Sequence, residues 1–146
     1  MTGLESPRTD EAIARARVAL GLDAVQPARA WFVARMQPGA RGYLLVVFGP
    51  PQCASAIAAV DPDSGEVLEG ARLPGLAPHT LITADEAIRR AGFGPDTQTQ
   101  LVWDPTAASR SRFYPLWELR SAGRCAWVDS VRGAVRTTLE ATRGGG

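Results

Sequence analysis

AAVDPDSGEV at residues 58–67 returns as AWVDSVRGAV at 126–135. In both stretches a β-prone run ends in Val-Asp, passes through a turn-forming segment and restarts at Gly-x-Val, which is the signature of a hairpin. Working outward, TDEAI at 9–13 returns as ADEAI at 84–88. Offsets between the copies are 75 at the helices (12 to 87), 71 at the middle strand (43 to 114) and 68 at the last (61 to 129). They shrink because loops differ in length while the elements between them do not. An internal repeat of this size makes each copy one supersecondary unit.

Each copy reads as a helix followed by strands. Thr9 is the expected cap of a first helix with Asp10 and Glu11 in its opening turn, Ile13, Ala16 and Leu20 on one face, and Gly21 as its stop. Thr83 and Glu86 have capping-box spacing for a shorter second helix, in which Ile88 and Ala91 are apolar and Gly92 ends the run. ARAWFVARM at 28–36 alternates. Ala30, Phe32, Ala34 and Met36 share the face expected to be core, and Arg29, Trp31, Val33 and Arg35 share the other. GYLLVVFG at 42–49 is apolar on both faces, as a central strand is. Residues 55–61 then lead through DPDSGE to Val67 and Leu68. The second copy repeats the order at 98–103, 114–119, 124–129 and 135–139. The expected fold class is therefore α+β, with two repeats at 9–68 and 83–139, each packing one helix on a three- to four-stranded antiparallel sheet. A flexible arm (1–8), a linker (69–82) holding Pro74, Gly75 and Pro78, and a flexible tail (140–146) complete the reading.

A helix opening on Thr83 to Ile88, followed by a three-stranded meander ending at Val128 and Asp129 and resuming at Gly133 and Val135, resembles the PepSY domain, a cystatin-like unit. The first copy carries the same features at Asp10 to Ile13, Val60, Asp61, Gly65 and Val67. The resemblance implies binding to a partner protein, as an inhibitor or chaperone. In architecture the chain is also similar to the tandem β-lactamase inhibitor protein and to cystatin-like immunity proteins, which bind proteins and catalyse nothing.

At 146 residues, 45% hydrophobic and 21% charged, the chain is long enough to bury about 68% of its unfolded surface. A formal charge of +1 supplies no field that points to nucleic acid or an anionic membrane. No apolar run approaches the roughly 20 residues that cross a bilayer. Glu5, Asp10 and Glu11 precede any apolar stretch, unlike a signal peptide. A cytoplasmic location follows as the expectation, and Cys53 and Cys125, at non-equivalent places in the repeat, are expected to be buried, reduced and inert.

No catalytic residue, cofactor or metal ligand is expected. His79, the one histidine, lies in APHT with no local nucleophile or orienting carboxylate, and reads as exposed or capping. Asp61, Asp63 and Glu66 have the spacing that opens a calcium loop, yet Asp, Pro, Ser and Gly are equally what a tight turn demands. An enzyme would have Asp85, Glu86, His79 and Glu118 as its available cast. A small-ligand protein would need a pocket between helix and sheet. The expectation is a non-enzymatic module that binds a protein or peptide, with self-association into a homodimer as the other occupant of its surface. Arginines beside aromatics mark such surfaces. The expected surface is the sheet face away from the helices, with Arg29, Trp31, Val33, Arg35, Leu101 and Trp103, together with the loop residues Arg110, Arg112, Phe113 and Tyr114. Trp117 and Trp127 are expected in the core.

Overall fold

The computed structural model describes residues 7–23, 26–50, 53–73, 79–106 and 109–139. Chain order is α1 (Pro7–Leu20), β1 (Ala28–Arg35), β2 (Tyr43–Phe48), β3 (Ala56–Val60), β4 (Val67–Arg72), α2 (Ala84–Ala91), β5 (Gln98–Trp103), β6 (Leu116–Ser121), β7 (Arg124–Asp129) and β8 (Val135–Arg136). The protein is α+β, and its strands hydrogen-bond in the order β4-β3-β2-β1-β5-β6-β7-β8. One pairing departs from the expected antiparallel pattern: β1 and β5 run parallel, with Ala34 beside Val102 and Arg35 beside Trp103. Parallel neighbours need a long crossover between them, and β2, β3, β4 and α2 all lie in that interval of sequence. The sheet is therefore mixed. Two compact units result, residues 1–32 with 42–80 and residues 33–41 with 81–146.

In the first unit α1 lays Ala12 and Ala16 on Leu44, Val46, Phe48, Ala56, Ala58 and Val60, with Ala28, Ala30 and Val67 at the margin. Small alanines on the helix allow close approach to a sheet face built of larger side chains. β2 and β3 are buried along their whole length, as a run apolar on both faces requires. α1 begins at Pro7, two residues before the cap expected at Thr9. Proline has its φ preset for a helix and lacks an N–H that the first turn would leave unbonded. Pro7 and Arg8 of the expected arm are thus helical, while residues 1–6 and the tail from 140 lie outside the described residues. β4 continues to Arg72, so the expected linker opens as strand. Pro74, Gly75 and Pro78 lie outside the described residues.

In the second unit Thr83 accepts a hydrogen bond from the Glu86 N–H at 3.1 Å and Gly92 closes the helix. α2 places Ala87 on Leu119 and Val128, with Ile88, Phe93 and Trp117 packed around them. The Trp117 indole donates to the Ile82 carbonyl at 2.9 Å, which satisfies the one polar atom that its packing would otherwise strand. β6 starts at Leu116 and leaves Tyr114 in the preceding loop. β8 has two residues where a five-residue strand was expected.

The two Val-Asp hairpins close alike. Asp61 N–H donates to Glu66 O and Gly65 N–H to Asp61 O, both at 2.8 Å; Asp129 N–H donates to Ala134 O at 2.9 Å and Gly133 N–H to Asp129 O at 2.8 Å. Each aspartate then folds its carboxylate over the turn, Asp61 Oδ1 accepting from the N–H groups of Asp63 and Ser64, and Asp129 Oδ1 from those of Val131 and Arg132. Gly65 and Gly133 take φ of 77° and 80°, and both are buried. A helix arginine covers each glycine. A Cβ on Gly65 would stand 2.5 Å from Arg15 Cδ, and one on Gly133 2.5 Å from Arg90 Nη1. Each arginine is in turn held by a glutamate one helical turn back: Glu11 for Arg15 and Glu86 for Arg90.

Candidate interaction surfaces

The sidedness expected for β1 holds at its start and fails at its end. Ala28 and Ala30 face α1, which leaves Arg29 and Trp31 on the opposite side. Phe32, expected in the core, is 56% exposed, whereas Val33, expected on the outer face, is fully buried. Those two residues straddle the boundary between the units, so the alternation that α1 imposes ends there. In the second unit Leu101 stands opposite Trp117, and Trp117 packs with the α2 core. Leu101 and Trp103 therefore lie on the helix side of β5, 6% and 4% exposed, rather than on an outer face. Val33, Leu101 and Trp103 are therefore buried, where an exposed face was expected.

In the first unit Arg29 donates to Thr80 Oγ1 at 2.6 Å and to the His79 carbonyl at 3.4 Å, with its guanidinium carbon 5.5 Å from the centre of the Trp31 ring. Burial lowers the pKa of Arg29. His79 itself is buried, a correction to the exposed position expected of it, since the segment carrying it is drawn in by Arg29.

The second unit assembles more of the expected residues. Asp104 receives Arg35 through Nε at 2.8 Å and through Nη2 on one oxygen, and the Gln37 N–H at 2.8 Å on the other. Arg35 and Arg112 both lie over Trp103, at 5.4 and 5.3 Å from its ring centre. The loop is built from within. Thr106 and Ser109 exchange backbone hydrogen bonds, and buried Ser109 donates through Oγ to the Tyr114 carbonyl at 2.6 Å. Ser111 Oγ accepts from the Phe113 N–H. Arg112, Phe113 and Tyr114 are half-buried, Arg110 is exposed, and Arg132 lies over Tyr114 at 5.8 Å. The loop that carries Phe113 and Tyr114 is thus held by short-range hydrogen bonds.

A second group was missed in the sequence. Cross-strand register aligns Gln100, Glu118, Trp127 and Arg136, and beside them Gln98, Arg120 and Cys125. These residues alternate with Leu119, Ala126 and Val128, which are buried, so they form the face that α2 leaves uncovered. Glu118 accepts from Arg120 Nε at 3.1 Å and from the Trp127 indole at 3.3 Å. Trp127 is half-buried there, and not in the core as expected. The signal was present in the polar alternation of Gln98 and Gln100, and of Glu118 and Arg120.

Of the three carboxylates available to an enzyme, Glu86 and Glu118 are bound to arginines and Asp85 is exposed. Glu86 binds Arg89 and Arg90, and the Arg89 hydrogen bond, followed by the charges of both arginines, holds it below the usual carboxylate range. Glu118 serves Arg120 and Trp127. No cluster of metal-ligating side chains occurs among the described residues, and no described helix is long and apolar enough to cross a membrane. Cys53 and Cys125 are free and partly exposed, where burial was expected; partial burial still raises the pKa of Cys125. An apolar hollow of about 520 Å³ runs between α1 and the first Val-Asp turn, lined by Ala14, Val18 and Val67.

No family model matches the chain, and no curated protein matches it. Among solved structures it is similar to the crystal structure of a protein of Clostridium difficile 630 assigned as a lipoprotein, at 16% identity over 95% of each chain and a TM-score of 0.35. So distant a likeness carries no argument about role.

Proposed function

We propose that the chain is a tandem of two PepSY-like, cystatin-like units and that it works as a non-enzymatic module binding a protein or peptide, in the manner of an inhibitor, immunity or accessory factor. The observation that carries the binding role is the loop of the second unit. It presents Arg112 on Trp103 beside Phe113 and Tyr114, and its own hydrogen bonds hold that shape. Rigid aromatics and arginine are what binding hot spots are made of. Duplication is supported by the matched Glu-Arg-Gly contacts, since Glu11, Arg15 and Gly65 stand to the first hairpin as Glu86, Arg90 and Gly133 stand to the second. A small-ligand role fits less well. Val18, on the wall of the apolar hollow, is 83% exposed, whereas a ligand pocket encloses most of its occupant.

The binding role is tested by affinity capture from native lysate with the wild-type chain and with Arg112→Ala, each checked for fold by circular dichroism. A protein retained by the wild type and weakened about thirtyfold by the substitution is the expected result, the effect of losing a hot spot of about 2 kcal/mol. Captured proteins that bind both chains equally would remove this surface from the role.

A further inference from the structure

In the first unit β4 covers β3 at five rows, from Ala56 beside Arg72 to Val60 beside Val67. The corresponding edge of β7 is covered by β8 at two rows, Trp127 beside Arg136 and Val128 beside Val135. A bend at Thr137 turns the chain away. Arg124, Cys125 and Ala126 are thereby left without a strand on that side among the described residues. The direction of the backbone groups is fixed by the neighbouring turn. Asp129 N–H points to the β8 side, where it meets Ala134 O, and Ser130 N–H points to the other side, where it meets Pro115 O. Along an antiparallel strand these directions alternate, so the N–H and C=O of Cys125 face the open edge. In the first unit the residue at the same place, Ile57, is covered by Ala71.

We propose that the open edge of β7 binds an extended, acidic stretch of a partner protein as an added strand. Strand addition draws its affinity from main-chain hydrogen bonds and its selectivity from the alternate side chains. Two arginines set that selectivity. Arg124 and Arg136 are exposed on either side of Cys125, and neither is paired with a carboxylate among the described residues; Arg124 is held over the Phe93 ring at 4.4 Å. They lie on opposite faces, Arg136 in the row of Trp127 and Arg124 on the α2 side with Phe93, so consecutive acidic residues of an incoming strand, which point to opposite faces, would meet one guanidinium each. A second copy of the chain is disfavoured as the occupant, because pairing β7 with β7 gathers the exposed Arg124 and Arg136 of both copies at one seam, where like charges repel.

The probe is a capped peptide of about eight residues in which pairs of glutamates alternate with pairs of valines, so that both faces carry acid, compared with its lysine-for-glutamate counterpart. It is titrated into the full chain at low salt while backbone amide shifts and hydrogen exchange are followed. The expected result is protection of the Cys125 amide by the acidic peptide and not by the basic one. The double substitution Arg124→Glu, Arg136→Glu should weaken binding at least about tenfold. Cys125→Pro, which removes the outward N–H at an edge where proline is tolerated, should abolish binding, with Cys125→Ala binding as the wild type does. Equal binding of both peptides, binding without a change at Cys125, no binding at millimolar peptide, or a Cys125 amide already protected by dimerisation would each overturn the proposal.

Discussion

Every cation of this chain is an arginine; the sequence contains no lysine. Six of these arginines, Arg17, Arg29, Arg35, Arg112, Arg124 and Arg132, lie over aromatic rings at 4.4 to 5.8 Å. A planar, weakly hydrated guanidinium can stack and still donate hydrogen bonds in its own plane, which an ammonium cannot. Arg35 does both, on Trp103 and to Asp104. Arg15 and Arg90 use the same flatness differently, covering Gly65 and Gly133, where any Cβ would collide with them. Gly133→Ala is expected to cost about 1–2 kcal/mol, mostly for placing a side chain at a left-handed φ. Combining it with Arg90→Ala should be less than additive, because the crowding component then disappears. Urea denaturation of the two single variants and the double variant measures this; strict additivity would mean that the arginine and the glycine do not interact.

Among the elements, those specified by neighbours in sequence were legible and those specified by distant partners were not. The cap at Thr83, the stop at Gly92 and both Val-Asp turns rest on contacts within a few residues, and each was read correctly. Thr83→Ala should destabilise the protein by about 1 kcal/mol, the ordinary cost of losing a threonine cap. It should speed amide exchange at Glu86 before it changes any amide of β5 to β7; a uniform change would place the effect elsewhere. The start of α1 was missed because Pro7, two residues upstream of a good capping residue, is itself a good first helical residue. The direction of β5 relative to β1, and the side on which Leu101 and Trp103 fall, depend on a pairing between residues far apart in the chain. Alternation announces that a strand has two faces without saying which one will be covered. The exposure expected of these side chains was accordingly half legible: Arg112, Phe113 and Tyr114 are partly accessible, whereas Val33, Leu101 and Trp103 are buried.

At the level of the whole molecule, neither unit is a continuous stretch of chain, since residues 33–41 interrupt the first and belong to the second. A fragment of residues 81–146 would leave β5 without its parallel neighbour and Asp104, 15% exposed as a side chain, without Arg35. Stranding a largely buried charge in this way costs several kcal/mol. The fragment should fail to unfold cooperatively, and fusing residues 33–41 to its start through a glycine-serine linker should restore a sigmoidal denaturation curve; a cooperative transition without them would show that the segment is dispensable. The same interruption sets a timetable during synthesis. Arg35 and Asp104 are 69 residues apart in sequence, so at ribosomal rates Val33 and Arg35 emerge roughly 3 to 14 s before the strand that receives them. For that interval a nascent chain with β2 and β3 already available presents the end of β1 uncovered, and this is the window in which a chaperone, or another chain on the same messenger, can reach it first.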